Sequence, residues 1–186
     1  MAIRRILTYP EPFLRGAAHD VANIDGKTVA SIEDMVQTMY AAPGIGLAAP
    51  QIGLDQRMVV LDVADEDEES PEPGKHLLRL INPVVVESEG DIVWEEGCLS
   101  VVDFRAEVKR AARVLVKAYD VDQKEIAIEA DGLLAVALQH EIDHLDGTLF
   151  IDRLSRLKRE MYAKRVKKAL REGRPIGAAR SASGES

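Results

Sequence analysis

One stretch of this chain narrows its possible folds sharply: residues 131–147, where an apolar run leads straight into two histidines. Leu133-Leu134-Ala135-Val136-Ala137-Leu138 is apolar all the way round a helix, and such a helix belongs in a protein interior. Asp131 suits an N-cap and Gly147 a terminator, so a helix is expected from Gly132 to about Leu145. The same helix then carries His140-Glu141-Ile142-Asp143-His144. Imidazoles and carboxylates in a core are costly unless paired or ligating. His140 and His144, four apart, share one helix face one turn apart. Glu141 lies about 100° round from His140. Two imidazoles so placed can share one metal ion, and the carboxylate can serve as general base on an activated water. A satisfied pair of core histidines is the plain alternative, and the apolar setting weighs against it.

The rest of the chain sets the frame. Its 186 residues suggest one domain, long enough to bury a core without disulfides. The lone cysteine, Cys98, excludes an internal disulfide. The apolar run near the N-terminus is just Ile6–Leu7, far short of an export signal, and no stretch approaches a membrane span. The expectation is therefore a cytoplasmic protein with no membrane partner. A net charge of −8 argues against the whole molecule being an electrostatic binder of nucleic acid, and no DNA partner is expected.

Val29, Ile32, Met35, Val36 and Met39 recur at helical spacing and predict a helix over 28–41, broken by Pro43-Gly44-Ile45-Gly46. Strands are expected at Met58–Val63, Leu77–Ile81, Val84–Val86, Ile92–Trp94 and Val114–Tyr119, with a weaker one at Ile126–Ile128. Asn82-Pro83, Glu89-Gly90 and Asp120–Gln123 read as turns between them. The acidic segment 65–74, DEDEESPEPG, reads as a solvated loop. Strands with segregated helices indicate an α+β fold: antiparallel strands around a central helix, plus a C-terminal helix over about 154–172. The last dozen residues, rich in Ser, Gly and Ala, are expected to be disordered.

A catalytic metal site needs a third protein ligand and an open position. The metzincin pattern would place a histidine at position 150, where this chain has Phe150. A thermolysin-like arrangement would need a downstream glutamate, and Glu160, the nearby one, sits in a strongly basic helix. Cys98 remains, in the turn-like context Glu95-Glu96-Gly97-Cys98-Leu99-Ser100. As a lone cysteine it could equally be a small core residue. As a ligand, its thiolate with two imidazoles would suit Zn or Fe(II).

Three segments together resemble the peptide deformylase family: Gly44-Ile45-Gly46-Leu47-Ala48-Ala49-Pro50-Gln51, Glu96-Gly97-Cys98-Leu99-Ser100, and Gln139-His140-Glu141-Ile142-Asp143-His144. Their order and spacing match, and the likeness extends over about residues 4–165. The resemblance implies an enzyme that removes the N-formyl group from the methionyl end of new polypeptides, releasing formate. It implies Cys98, His140 and His144 as ligands of one divalent ion, natively Fe(II), with Zn, Ni or Co as substitutes. Glu141 would carry the proton. Gln51 and the Leu99 backbone N–H would steady the oxyanion. Gly44, Gly46, Glu96 and Gly97 are nominated as substrate contacts, with Ile45, Trp94, Leu133, Val136 and Ala137 as an apolar methionine slot walled by His140. A thiolate ligand makes oxidative inactivation an expectation. Pro43 stands where many members have an acid, and Val102 where many have proline.

Two other readings stay open. A zinc endopeptidase would use the histidine motif without needing Cys98. A structural metal module that binds peptides would fill all four ligand positions and leave Glu141 idle. Residues 1–152 read as the catalytic domain. From Arg153 to Arg174 there are ten Lys or Arg against two Glu, a net +8. Leu154, Leu157, Met161 and Leu170 form a modest stripe by which this helix could pack on the body. The alternative is an RNA-facing helix, and the family resemblance implies docking on the ribosome.

Overall fold

Helix α1 (Gly26–Ala41) starts where the Asp25 carboxylate accepts hydrogen bonds from the Lys27 and Thr28 amides, which satisfies two otherwise orphaned donors. Its stripe of Ile32, Met35, Val36 and Met39 is buried. The structure, a computed structural model, describes residues 2–64, 68, 72–174 and 176. Apart from Ile176, the tail 175–186 lies outside the described residues, as do 65–67 and 69–71 of the acidic segment.

The strands are β1 (Gly46–Ala48), β2 (Met58–Asp62), β3 (Leu77–Glu89), β4 (Ile92–Cys98), β5 (Val101–Arg110), β6 (Arg113–Tyr119) and β7 (Glu125–Asp131). Five form an antiparallel sheet in the order β1-β2-β3-β6-β7, and β4 pairs with β5 in a separate ribbon. Helix α2 (Gly132–Leu145) carries the histidines, and α3 (Arg156–Arg171) is the C-terminal helix. The expected α+β architecture is thus observed.

The packing explains why β2 is apolar throughout. Met58 and Val60 pack with α1, while Val59 and Leu61 pack with Ala135, Leu138 and Ile142 of α2. A strand covered on both faces loses the polar–apolar alternation of a half-solvated one. Helix α2 therefore lies in the interior, between the sheet and the β4–β5 ribbon.

Three expectations are corrected and one is met in part. Asn82-Pro83 is not a turn: β3 runs through it with a register shift between Ile81 and Val84. Asn82 takes a positive φ there, and its side-chain amide bonds the backbone of Val21 at both ends. Two strands, β1 and β5, were not expected. Asp131 occupies the N-cap of α2, but its side chain makes no capping hydrogen bond. Helix α3 packs through buried Tyr162 and Val166 onto Leu14, Val101 and Phe150. Of the expected stripe, Leu154 is buried, but Leu157, Met161 and Leu170 face solvent.

Candidate metal centre and active site

The chain brings Cys98, from the end of β4, onto the face of α2 that presents His140 and His144. Their ligand atoms all lie within 4.8 Å of one another, with Cys98 Sγ 3.2 Å from His144 Nε2. The two imidazoles stand edge to face, ring centres 5.0 Å apart. Phe150, where a metzincin would have its third histidine, instead stacks on the His140 ring. Glu160 is spent on an ion pair with Arg156.

His140 is oriented by Glu96, whose Oε2 lies 2.7 Å from His140 Nδ1. An Nδ1–H donated to that carboxylate leaves Nε2 with its lone pair toward the cluster. Glu96 also accepts two bonds from the Arg110 guanidinium. Burial works against its charge, but Arg110 and His140 outweigh it and hold its carboxyl down at about 2. Nominated as a substrate contact, Glu96 lines the cleft, yet both its oxygens are already engaged by the protein.

Glu141 is buried, and burial raises its carboxyl to about 7. Its Oε2 has no hydrogen-bond partner, and neither has His144 Nδ1. An orphaned carboxylate oxygen beside a thiol and two imidazoles fits a site that takes a divalent ion and its water. The carboxylate fits because residue 46 is glycine: a Cβ there would lie 2.6 Å from Glu141 Oε1.

Gln51 enters from the 3-10 turn Ala49–Ile52 that follows β1. Its Oε1 accepts the Ala48 amide at 2.8 Å, which turns Nε2 toward the cluster. One amide hydrogen goes to Ser100 Oγ at 3.1 Å, and Cys98 Sγ is 3.7 Å away. The thiol also receives the Ser100 backbone amide at 3.4 Å.

These groups open onto a cleft of about 690 Å³. Every nominated residue lines it except His144, which is 1% exposed. Ile45, Trp94, Leu133, Val136 and Ala137 are on its walls, with Gly44, Gly46, Gly97 and Leu99. Pro43 and Val101 also line it, as do Glu95 and Arg105 and the aromatic ring of Phe104. Val102, where the chain departs from the family pattern, accepts hydrogen bonds on its carbonyl from Tyr162 and Arg165 of α3.

Sequence reasoning missed Arg110, Asp143 and Ser100. A signal for Arg110 existed: Phe104, Ala106, Val108 and Arg110 share one parity of β5, so the arginine belongs on the inward side of that strand.

The polypeptide deformylase family model matches residues 3–160. The peptide deformylase of Syntrophobacter fumaroxidans is 52% identical over 172 residues, covering 92% of this chain and 98% of that protein. That of Rhizobium meliloti is 51% identical over 170 residues, covering 91% and 95%. The crystal structure of a peptide deformylase from Legionella pneumophila superposes with a TM-score of 0.81 at 44% identity, covering 92% and 98%. That from Ehrlichia chaffeensis in complex with actinonin gives 0.84 at 37% identity, covering 92% and 99%. Matched along most of its length, the chain belongs to the polypeptide deformylase family.

Proposed function

We propose that Cys98, His140 and His144 hold one divalent ion, natively Fe(II), at which Glu141 and Gln51 carry out deformylation. The family's reaction removes the N-formyl group from nascent polypeptides. The observation that carries the site assignment is the convergence of the three ligand atoms with an unpartnered Glu141 oxygen in one cleft. A thiolate among the ligands separates this site from the endopeptidase reading. The accessible cleft and poised Glu141 argue against a closed structural site.

When bound, the ion supplies Lewis acidity and an activated water. Glu141 would take the proton released at that site and pass it to the leaving amine. The second Gln51 amide hydrogen, with the Leu99 backbone N–H, donates to the developing oxyanion. Gly44 and Gly46 admit the peptide backbone closely, and Gly97 borders the same wall. Ile45, Trp94, Leu133, Val136 and Ala137 form the slot for the methionine thioether. Glu96 acts on substrate indirectly, by orienting His140.

Residues 1–152 form the catalytic part, and 153–174 a basic arm packed on it. The arm carries a net +8 and exposes Leu157, Met161 and Leu170. These features suit a ribosomal surface where nascent chains emerge, a reading that carries a cytoplasmic location with it. Among the described residues no helix is long and apolar enough to cross a membrane.

The test is formate release from a formyl-Met peptide by anaerobic Fe(II)-loaded protein, beside Glu141→Ala and Cys98→Ser. Wild type should release formate and both variants should fail. No release by wild type overturns the reading, and full activity of Glu141→Ala overturns the proton-transfer role. Co-sedimentation with ribosomes, lost when lysines and arginines of α3 are neutralised, tests the arm.

A further inference from the structure

The ligand triangle depends on two separate elements keeping their spacing, since Cys98 ends β4 while both histidines sit on α2. One side chain touches both elements. Arg110, the last residue of β5, has a side chain 1% exposed. Its Nε and Nη2 donate to Glu96 Oε1 and Oε2 at 2.6 and 2.9 Å, two residues before Cys98. Its Nη1 donates to Asp143 Oδ2 at 2.5 Å, one residue before His144. Asp143 is gripped from the outer side by Arg153, at 2.6 and 2.5 Å. A chain of alternating charge thus runs Arg153, Asp143, Arg110, Glu96 and ends on His140.

Stability is a weak explanation for such an array. Desolvating buried ions cancels much of their attraction, and apolar side chains of similar volume often serve as well. What apolar side chains cannot do is hold two carboxylates at a set distance and angle, as the planar five-donor guanidinium does. Lysine, a single point charge, cannot hold Glu96 bidentately and Asp143 at once.

We infer that Arg110 and Asp143 form a clasp between β4 and α2 that sets the Cys98–His140–His144 triangle, making both of them positioning residues for the metal. The inference rests on the reading of those three residues as ligands. Neither clasp residue lines the cleft. Their effect reaches the ion through Glu96 and His140 on one arm and through the helix turn bearing His144 on the other. Partners one step removed from the ligands commonly change metal affinity by about 10–100-fold.

The test strips the full chain of metal and titrates it anaerobically with Co(II), reading the dissociation constant and the visible and thiolate-to-metal absorption bands. Thermal unfolding of the stripped protein is recorded alongside. Arg110→Met and Arg110→Lys should each bind Co(II) about 10–100-fold more weakly with shifted bands. Asp143→Ala is the safer variant, because Arg110 stays paired with Glu96 and Arg153 is 43% exposed. It should bind about 10-fold more weakly with its melting temperature little changed. Wild-type affinity and bands in Asp143→Ala overturn the clasp even if the Arg110 variants fail to fold. Full affinity in Arg110→Lys overturns it too, since charge would then suffice. Wild type that binds Co(II) through all three ligands yet releases no formate sinks the functional reading and leaves the clasp standing. Wild type that binds no metal sinks both.

Discussion

Gly46→Ala is the sharpest small perturbation of this site. Gly46 is not among the positive-φ glycines, so alanine suits the backbone and the only penalty is space. The added Cβ would lie 2.6 Å from Glu141 Oε1, 3.0 Å from Glu141 Cδ and 2.8 Å from Leu61 Cδ2. Leu61 and Glu141 are both buried and Leu61 packs against α2, so the leucine methyl and the carboxylate must both move. Restoring an ordinary contact needs a shift of roughly 0.7 Å, and a misplacement of about 1 Å can cost about 10²-fold. The expected result is kcat for formate release lowered about 10²-fold, or about 2.7 kcal/mol in barrier. Overpacking should also cost about 1–3 kcal/mol of stability. The assay is steady-state formate release at matched metal content, with a melt. In a Glu141→Ala background, Gly46→Ala should lower kcat no further, because the group it displaces is gone. Near-wild-type kcat in the single variant would refute the reasoning. A rise in KM alone would assign Gly46 to substrate approach instead of Glu141 placement.

Other outcomes follow from the same geometry. Gln51→Ala should cut kcat about 10²–10³-fold and, by leaving the buried Ala48 amide without its acceptor, also cost about 1–3 kcal/mol of stability, read in the same assay and melt. Gly147→Ala should destabilise the fold by about 3 kcal/mol or more, because Gly147 has φ +69° and a Cβ would lie 2.5 Å from the Arg15 carbonyl oxygen. Glu96 makes acid stability predictable. Its carboxyl is held at about 2 against an ordinary 4.5, so its contribution is complete above about pH 4.5 and is lost as pH falls toward 2. The contribution is at most about 3 kcal/mol, and urea melts between pH 6 and 2 should show a flatter dependence in Glu96→Gln. Peroxide treatment of metal-stripped protein should abolish metal uptake in step with oxidation of Cys98, as mass spectrometry and Co(II) titration would show.

Several elements were readable without coordinates because their signals are local. The helix stripe of α1 and the uniformly apolar start of α2 each declare a period and a degree of burial. His140, Glu141 and His144 declare their chemistry through spacing on a single helix. β1 escaped because three residues are too short to show a period. β5 was legible and overlooked: Asp103, Arg105, Glu107 and Lys109 alternate with Phe104, Ala106 and Val108, the pattern of a half-solvated strand. Asn82-Pro83 misled because Asn82 finds its partners on Val21, 61 residues away in sequence, so its turn chemistry is used inside a strand. The stripe on α3 misled because periodicity names a face, whereas packing chose Tyr162 and Val166.

By itself, then, the sequence determined that an apolar helix with two histidines one turn apart must lie in the interior and hold something there. It also determined, through three motifs, the family and its reaction. Tertiary structure decided what spacing along the chain cannot encode. Cys98 joins the histidines only because β4 ends against α2. The Glu141 carboxylate fits beside the cluster only because Gly46 leaves it room. Arg110 links strand to helix only because the last inward position of β5 falls between them. Each is a contact across 14 to 95 residues of chain, fixed by how the elements pack.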